Sequence, residues 1–182
     1  MKQILSAKQK KFIKSANKKI NIAHGAVRSG KTICTLIKFC ADVIACPDND
    51  IYMIGNSFAS ITDNGVKTIR DFICPGYCCW KPGKGILTLG NKEITVIGAN
   101  DNASVRRIQG NTHSLAYVDE ATTIPENFIK MLILRLSRPH SKAIFSTNPD
   151  TPHHHIKKLI DDPVDTYSEH FELDDNPTLA PE

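Results

Sequence analysis

No apolar run in the 182 residues approaches the ~20 needed for a helix to cross a bilayer. The opening stretch, "MKQILSAKQKKFIKSANKK", carries too many lysines for a secretory signal. A cytosolic protein with no membrane partner is expected. Paired C-x-x-C ligand sets are missing as well. Of the six cysteines, Cys34, Cys40 and Cys46 fall along one helical pattern, and Cys74, Cys78 and Cys79 cluster near Trp80. That spacing speaks against zinc fingers and a disulfide framework, and reads as reduced, half-buried thiols. Internal repeats and low-complexity segments are also absent. Excess charge is small, at +4, but uneven: Lys8, Lys10, Lys11, Lys14, Lys18 and Lys19 crowd the N-terminus. Two readings of this cluster compete. It meets phosphates, or it is the solvated face of a helix whose apolar side is Phe12, Ile13 and Ile20.

With 41% hydrophobic and 23% charged residues, the composition suits one domain with a full core. Apolar periodicity predicts helices over 8–16, 31–45, 61–72 and 125–136, and a short one from about Pro152. Strands are predicted at 20–23, at "DIYMIGNS", "SLAYVD" and "KAIFSTN", and finally at "TYSEHFEL". "GILTLGNKEITVIGA" alternates around Gly90-Asn91, a hairpin signature. Strands alternating with helices imply a mainly parallel sheet covered on both faces, with ligands at the carboxyl ends of its strands.

"HGAVRSGKT" lies at such an end. Gly25, Gly30, Lys31 and Thr32 satisfy G-x-x-x-x-G-K-[ST], with a strand before and a helix after. Glycines let backbone N–H groups curl around phosphate oxygens, and the helix presents its positive N-terminus to the same charge. Gly25, Ser29, Gly30, Lys31 and Thr32 are therefore candidates for binding ATP. Lys31 reaches the outer phosphates and the Thr32 hydroxyl holds Mg²⁺.

A phosphate loop alone fits a kinase, a GTPase or a motor. "SLAYVDEA" narrows the choice. Asp119 ends an apolar strand, where a second carboxylate is needed for Mg²⁺. Glu120 follows, placed to deprotonate a water attacking the γ-phosphate; a kinase has no use for that base. No N-K-x-D guanine motif occurs. Ser146, Thr147 and Asn148 end the next strand, where small polar groups can touch the γ-phosphate; Pro149 stops that strand. Arg28 inside the loop, and Arg106 and Arg107 ahead of the acid strand, are candidates for stabilising developing negative charge, in cis or from a neighbour. Each has a surface ion pair as its plain alternative. Gln9 precedes the loop by the distance at which a glutamine reads the adenine edge.

These motifs together resemble the ATPase domain of large terminase subunits, the DNA-packaging motors of tailed bacteriophages. "GAVRSGKT" is similar to their phosphate loop, which often carries an arginine where Arg28 stands. "RRIQGNTHSLAYVDEA" resembles their lead into the Asp-Glu pair, "FSTNP" their coupling motif, and "FELDDNPTLAPE" the segment leading out of the ATPase region. The resemblance implies an α/β P-loop NTPase of the ASCE/RecA-like type that spends ATP and Mg²⁺ on pumping double-stranded DNA. It implies a ring of copies at the portal vertex of a procapsid in the host cytoplasm, with portal protein and small terminase subunit as partners. By analogy Lys31, Glu120, Arg28 and Arg107 are catalytic, Arg107 acting on the neighbour's ATP. Thr32 and Asp119 hold the metal. Asn148 and Gln9 join the nucleotide contacts.

Family members carry a C-terminal nuclease domain. Residues 1–172 are expected to form the ATPase domain and 173–182 a linker toward that absent part. Asp161, Asp162, Asp174 and Asp175 sit in turns and do not supply its acidic cluster, so ATPase without nuclease activity is expected. Two alternatives stay open. One is a helicase- or recombinase-like DNA-dependent ATPase; the other is a nucleotide-binding assembly module that does not hydrolyse alone. His153, His154 and His155 read as a helix start rather than a metal site.

Overall fold

The computed structural model describes residues 5–100, 102–148, 154–162 and 165–179. An eight-stranded sheet forms its centre. The strands are β1 (Ile20–Gly25), β2 (Ile51–Gly55), β3 (Cys78–Lys81), β4 (Ile86–Leu89), β5 (Lys92–Gly98), β6 (Leu115–Val118), β7 (Lys142–Thr147) and β8 (Thr166–Phe171). Their order is β3-β4-β5-β2-β6-β7-β1-β8. The run from β5 to β8 is parallel throughout, whereas β3 and β4 add an antiparallel hairpin edge beyond β5. The hairpin read around Gly90-Asn91 is this β4–β5 pair.

Alternate residues of the central strands enter two separate cores, because successive side chains point to opposite faces of a sheet. Ala23, Met53, Tyr117 and Ile144 join one core with α1 (Ala7–Ser15) and α2 (Lys31–Ala45). Ile22, Ile54, Val118 and Phe145 join the other, with α4 (Asn102–Gln109), α5 (Glu126–Arg135) and α6 (His155–Ile160). The helix predicted over 61–72 is longer and less regular. α3 (Phe58–Ile61) runs on through π-helical turns at Thr62–Val66 and Ile69–Ile73. β3 and α4 were not anticipated. α6 begins at His155, with His154 as its N-cap. Pro149, Pro152 and His153, assigned to a strand stop and a helix start, lie outside the described residues.

Residues 173–175, expected to open a linker, form a 3₁₀ turn tied back to the domain. The Lys8 ammonium lies 2.6 Å from the Asp175 carboxylate, and Asn176 donates to the Arg28 carbonyl at 2.6 Å. Among the described residues no helix is long and apolar enough to cross a membrane.

Candidate nucleotide site

At the carboxyl end of β1 the chain leaves the sheet through a loop that only glycine permits at its first position. Gly25 has φ +121°, and a Cβ there would lie 2.1 Å from the Phe171 carbonyl oxygen on β8. That same oxygen accepts the Ala26 N–H at 2.9 Å, so the neighbouring strand fixes the start of the loop. Arg28 adopts φ +62°, uncommon for a residue with a side chain. Gly30, at φ +82°, turns the chain into α2. The N-terminal end of α2 therefore points its free N–H groups into the space the loop encloses.

Lys31, 8% exposed, folds under the loop. Its ammonium donates to the carbonyls of Gly25 (2.9 Å) and Ala26 (2.5 Å) and to Ser29 Oγ (3.4 Å). Burial holds its pKa below the ordinary lysine value. Gln9 braces the loop from α1. Its Nε2 donates to the Gly30 carbonyl at 3.1 Å and its Oε1 accepts the Ser6 N–H at 2.8 Å, closing a capping box. Both ends of this amide are engaged within the chain. Reading an adenine edge with Gln9 requires those bonds to be exchanged.

Facing the loop across the sheet, Asp119 follows β6, its N–H donating to the Ile54 carbonyl of β2 at 2.8 Å. The residue is 5% exposed. Burial, then the neighbouring Glu120, raise its carboxyl above the usual aspartate range. Its Oδ1 accepts the Tyr117 hydroxyl at 3.2 Å and its Oδ2 the Asn64 amide at 3.4 Å. Tyr117 also lies 3.5 Å from Thr35 Oγ1 on α2. A chain of polar contacts thus runs from α2 through Tyr117 and Asp119 to the first π-helical turn. Glu120 is exposed and holds a left-handed conformation, φ +47°, where the chain turns sharply off the sheet. The Thr122 N–H donates to Thr147 Oγ1 at 3.2 Å, tying the acid turn to the end of β7. His154 accepts from the Ile156 N–H through Nδ1 (3.2 Å) and meets the Thr122 carbonyl through Nε2 (3.0 Å), which fits a neutral ring with its proton on Nε2.

Arg28, Lys31, Thr32, Asp119, Glu120 and Asn148 line one open cleft of about 610 Å³. The fold thus brings together residues from three separated stretches of sequence. Arg107 is exposed on α4 and does not line this cleft. Asp63, Asn64, Thr68 and Thr122 line it without having been singled out by motif. Tyr117 was hidden too, because inside "LAYV" it reads only as core.

The sequence profile of the T4-like-virus type large terminase subunit, N-terminal part, matches residues 22–178. No curated protein matches. Among solved structures, the large terminase of a thermophilic bacteriophage is 25% identical with TM-score 0.83, covering 98% of this chain and 48% of that one. The same phage's terminase in complex with ADP is 24% identical with TM-score 0.82, covering 97% and 48%. The N-terminal domain of the DNA packaging ATPase from bacteriophage phi29 shares the fold at 13% identity, TM-score 0.58, covering 86% and 91%. The chain spans about half the length of the thermophilic phage's terminase.

Proposed function

The chain belongs to the T4-like large terminase family, N-terminal part, and we propose that it hydrolyses ATP with Mg²⁺ to drive double-stranded DNA into a procapsid. It has the terminase ATPase-domain fold. The observation that carries the activity is a single juxtaposition. A buried carboxylate and an exposed one, Asp119 and Glu120, line the same cleft as a phosphate-loop lysine and threonine.

Asp119 suits a divalent cation. It is buried, its carboxyl is raised above the usual range, and no lysine or arginine forms a salt bridge with it among the described residues. Thr32 and Asp119 would hold Mg²⁺, which neutralises charge on the outer phosphates. The Lys31 ammonium exchanges the Gly25 and Ala26 carbonyls for phosphate oxygens. Glu120 takes a proton from water as its oxygen attacks the γ-phosphorus, and the bond to the β–γ bridging oxygen breaks. Arg28, on the rim, reaches toward the developing charge, while Arg107, away from its own cleft, acts on a neighbour's nucleotide. Asn148 reports the γ-phosphate to the end of β7. In this reading a ring of copies works at the portal with the small terminase subunit, in the host cytoplasm.

Steady-state ATP hydrolysis over a range of protein concentrations, with and without double-stranded DNA, tests this. Turnover should need Mg²⁺, rise with concentration or DNA, and vanish in Lys31→Ala and Glu120→Gln, the latter retaining bound ATP. Wild-type turnover in Glu120→Gln would remove the base assignment. ATP binding without turnover under any condition would leave a nucleotide-binding assembly module.

A further inference from the structure

At the opposite end of the parallel strands, where they begin, the loops into β2, β6 and β7 converge on the C-terminal end of α2. Cys46, Asp48 and His140 meet there. Their ligand atoms all lie within 4.8 Å of one another, close enough to surround one cation. Cys46 and His140 belong to a cavity of about 120 Å³ that Asp42, Ser114 and Lys142 also line. Asp42, 9% exposed, borders the same cavity but stands outside this set of ligand atoms. Its Oδ1 accepts from Lys38 (2.9 Å) and Lys142 (3.0 Å), but its Oδ2 is buried with no hydrogen-bond partner.

We propose that this cluster binds a borderline-soft divalent transition-metal ion, of the zinc or cobalt class, through Cys46 Sγ, an Asp48 carboxylate oxygen and His140 Nε2, with water as the fourth donor. A thiolate, an imidazole and a carboxylate form a donor set for such ions and not for Mg²⁺ or Ca²⁺. Local charge is compatible with it. Arg138 pairs with Asp48 and Asp50, and Lys38 and Lys142 share Asp42, so these cations and carboxylates balance and a Cys46 thiolate leaves the cluster net negative. His140 Nε2 now sits 2.5 Å from Asp48 Oδ2. Two ligands of one tetrahedral ion stand ~3.4 Å apart, given bond lengths near 2.1 Å. The ring must therefore swing outward by about the difference, which its exposed position allows. Metal binding displaces the proton between the two groups and the thiol proton of Cys46. The ion would clasp the loops into β2 and β7 at the end of the strands remote from the nucleotide cleft, stabilising the fold without entering the ATP chemistry.

Cobalt(II) titration of the whole reduced chain tests this by the thiolate-to-cobalt charge-transfer band, with calorimetry of zinc binding alongside. Cys40, Cys74 and Cys78 also lie near one another, so Cys74→Ser is the control for binding elsewhere. The expected result is one equivalent bound with the thiolate band, kept in Cys74→Ser. Cys46→Ser should lose the band, and His140→Ala should weaken affinity at least ~10-fold. Each variant's fold is checked by circular dichroism and Lys31-dependent ATP binding. Absence of stoichiometric binding, or binding that survives in Cys46→Ser and His140→Ala, overturns the proposal and leaves an ion-pair cluster. Either outcome is independent of whether the cleft hydrolyses ATP.

Discussion

Removing one oxygen from Tyr117 should disturb both stability and metal dependence. The ring is fully buried on β6 and packs on Phe39 at 5.5 Å. Tyr117→Phe keeps that contact and deletes only the hydroxyl. What is lost is the donor to Asp119 at 3.2 Å. A hydrogen bond to a charged group contributes about 1.5–3 kcal/mol. At 3.2 Å this one is longer than the roughly 2.5–3.0 Å usual for O–H···O, and the phenol no longer needs desolvating, so about 1–2 kcal/mol is the net expectation. In a chain of 182 residues that lowers Tm by about 2–8 °C. The second effect is electrostatic. The Tyr117 hydrogen bond is one of the influences lowering an Asp119 carboxyl that burial raises. Without it the proton is held more tightly, and the metal must compete with that proton. The apparent KM for Mg²⁺ should rise severalfold, more near pH 6 than near pH 8, with kcat at saturating Mg²⁺ changing less. Urea unfolding and Mg²⁺ titrations of ATPase rate at the two pH values measure both effects. A variant that unfolds like wild type and shows the same Mg²⁺ dependence at both would refute the role given to this hydroxyl.

Gly25→Ala should destabilise by at least about 3 kcal/mol, because the new Cβ at φ +121° would overlap the Phe171 carbonyl; a loss under about 1 kcal/mol in urea unfolding would contradict the loop geometry. Asp119→Asn tests the cost of burying charge. A carboxyl whose folded pKa is raised favours the fold at low pH, and that advantage is lost as pH rises through the folded value, so at neutral pH the ionised group is a burden. The variant's stability relative to wild type should therefore improve from about pH 4 to about pH 7, and a pH-independent gap would count against the burial argument. Asn176→Ala removes the 2.6 Å bond to the Arg28 carbonyl. ATP affinity should fall severalfold while stability changes by about 1 kcal/mol or less, since the bond is near the surface; unchanged affinity would separate Arg28 from this contact.

How much of this was legible depended on whether the signal was local. The helix read over Lys31–Ala45 matches the observed bounds, since a glycine turn opens it and Pro47-Asp48-Asn49 follows its end. The β4–β5 hairpin was legible through Gly90. β3 was not, because four residues alternating half-buried and exposed carry little pattern, and pairing with β4 decides their fate. α4 was obscured by its adjacent arginines. The π-helical turns left no periodic trace, yet they carry Asn64 to Asp119, 55 positions away. In the site, the glycines, Lys31, Thr32 and the acid pair announced themselves by spacing. Tyr117, Asn64 and Thr122 did not, because their importance lies in partners that only the strand order supplies. The same holds for His140, brought to Asp48 across 92 positions.

The loop at Gly25–Gly30 is gripped on both flanks. Phe171 holds Ala26, Asn176 holds Arg28, Gln9 holds Gly30, and Lys8 closes the circle onto Asp175. The segment that follows β8 and helix α1 thus act as the two jaws of one clamp. A tug or twist arriving through residues 172–176 has a short, hydrogen-bonded route to the carbonyls and N–H groups of the loop beside the cleft. A change of fit in the loop travels outward by the same route. Mechanical load on the chain beyond β8 and occupancy of the cleft are then two handles on one part.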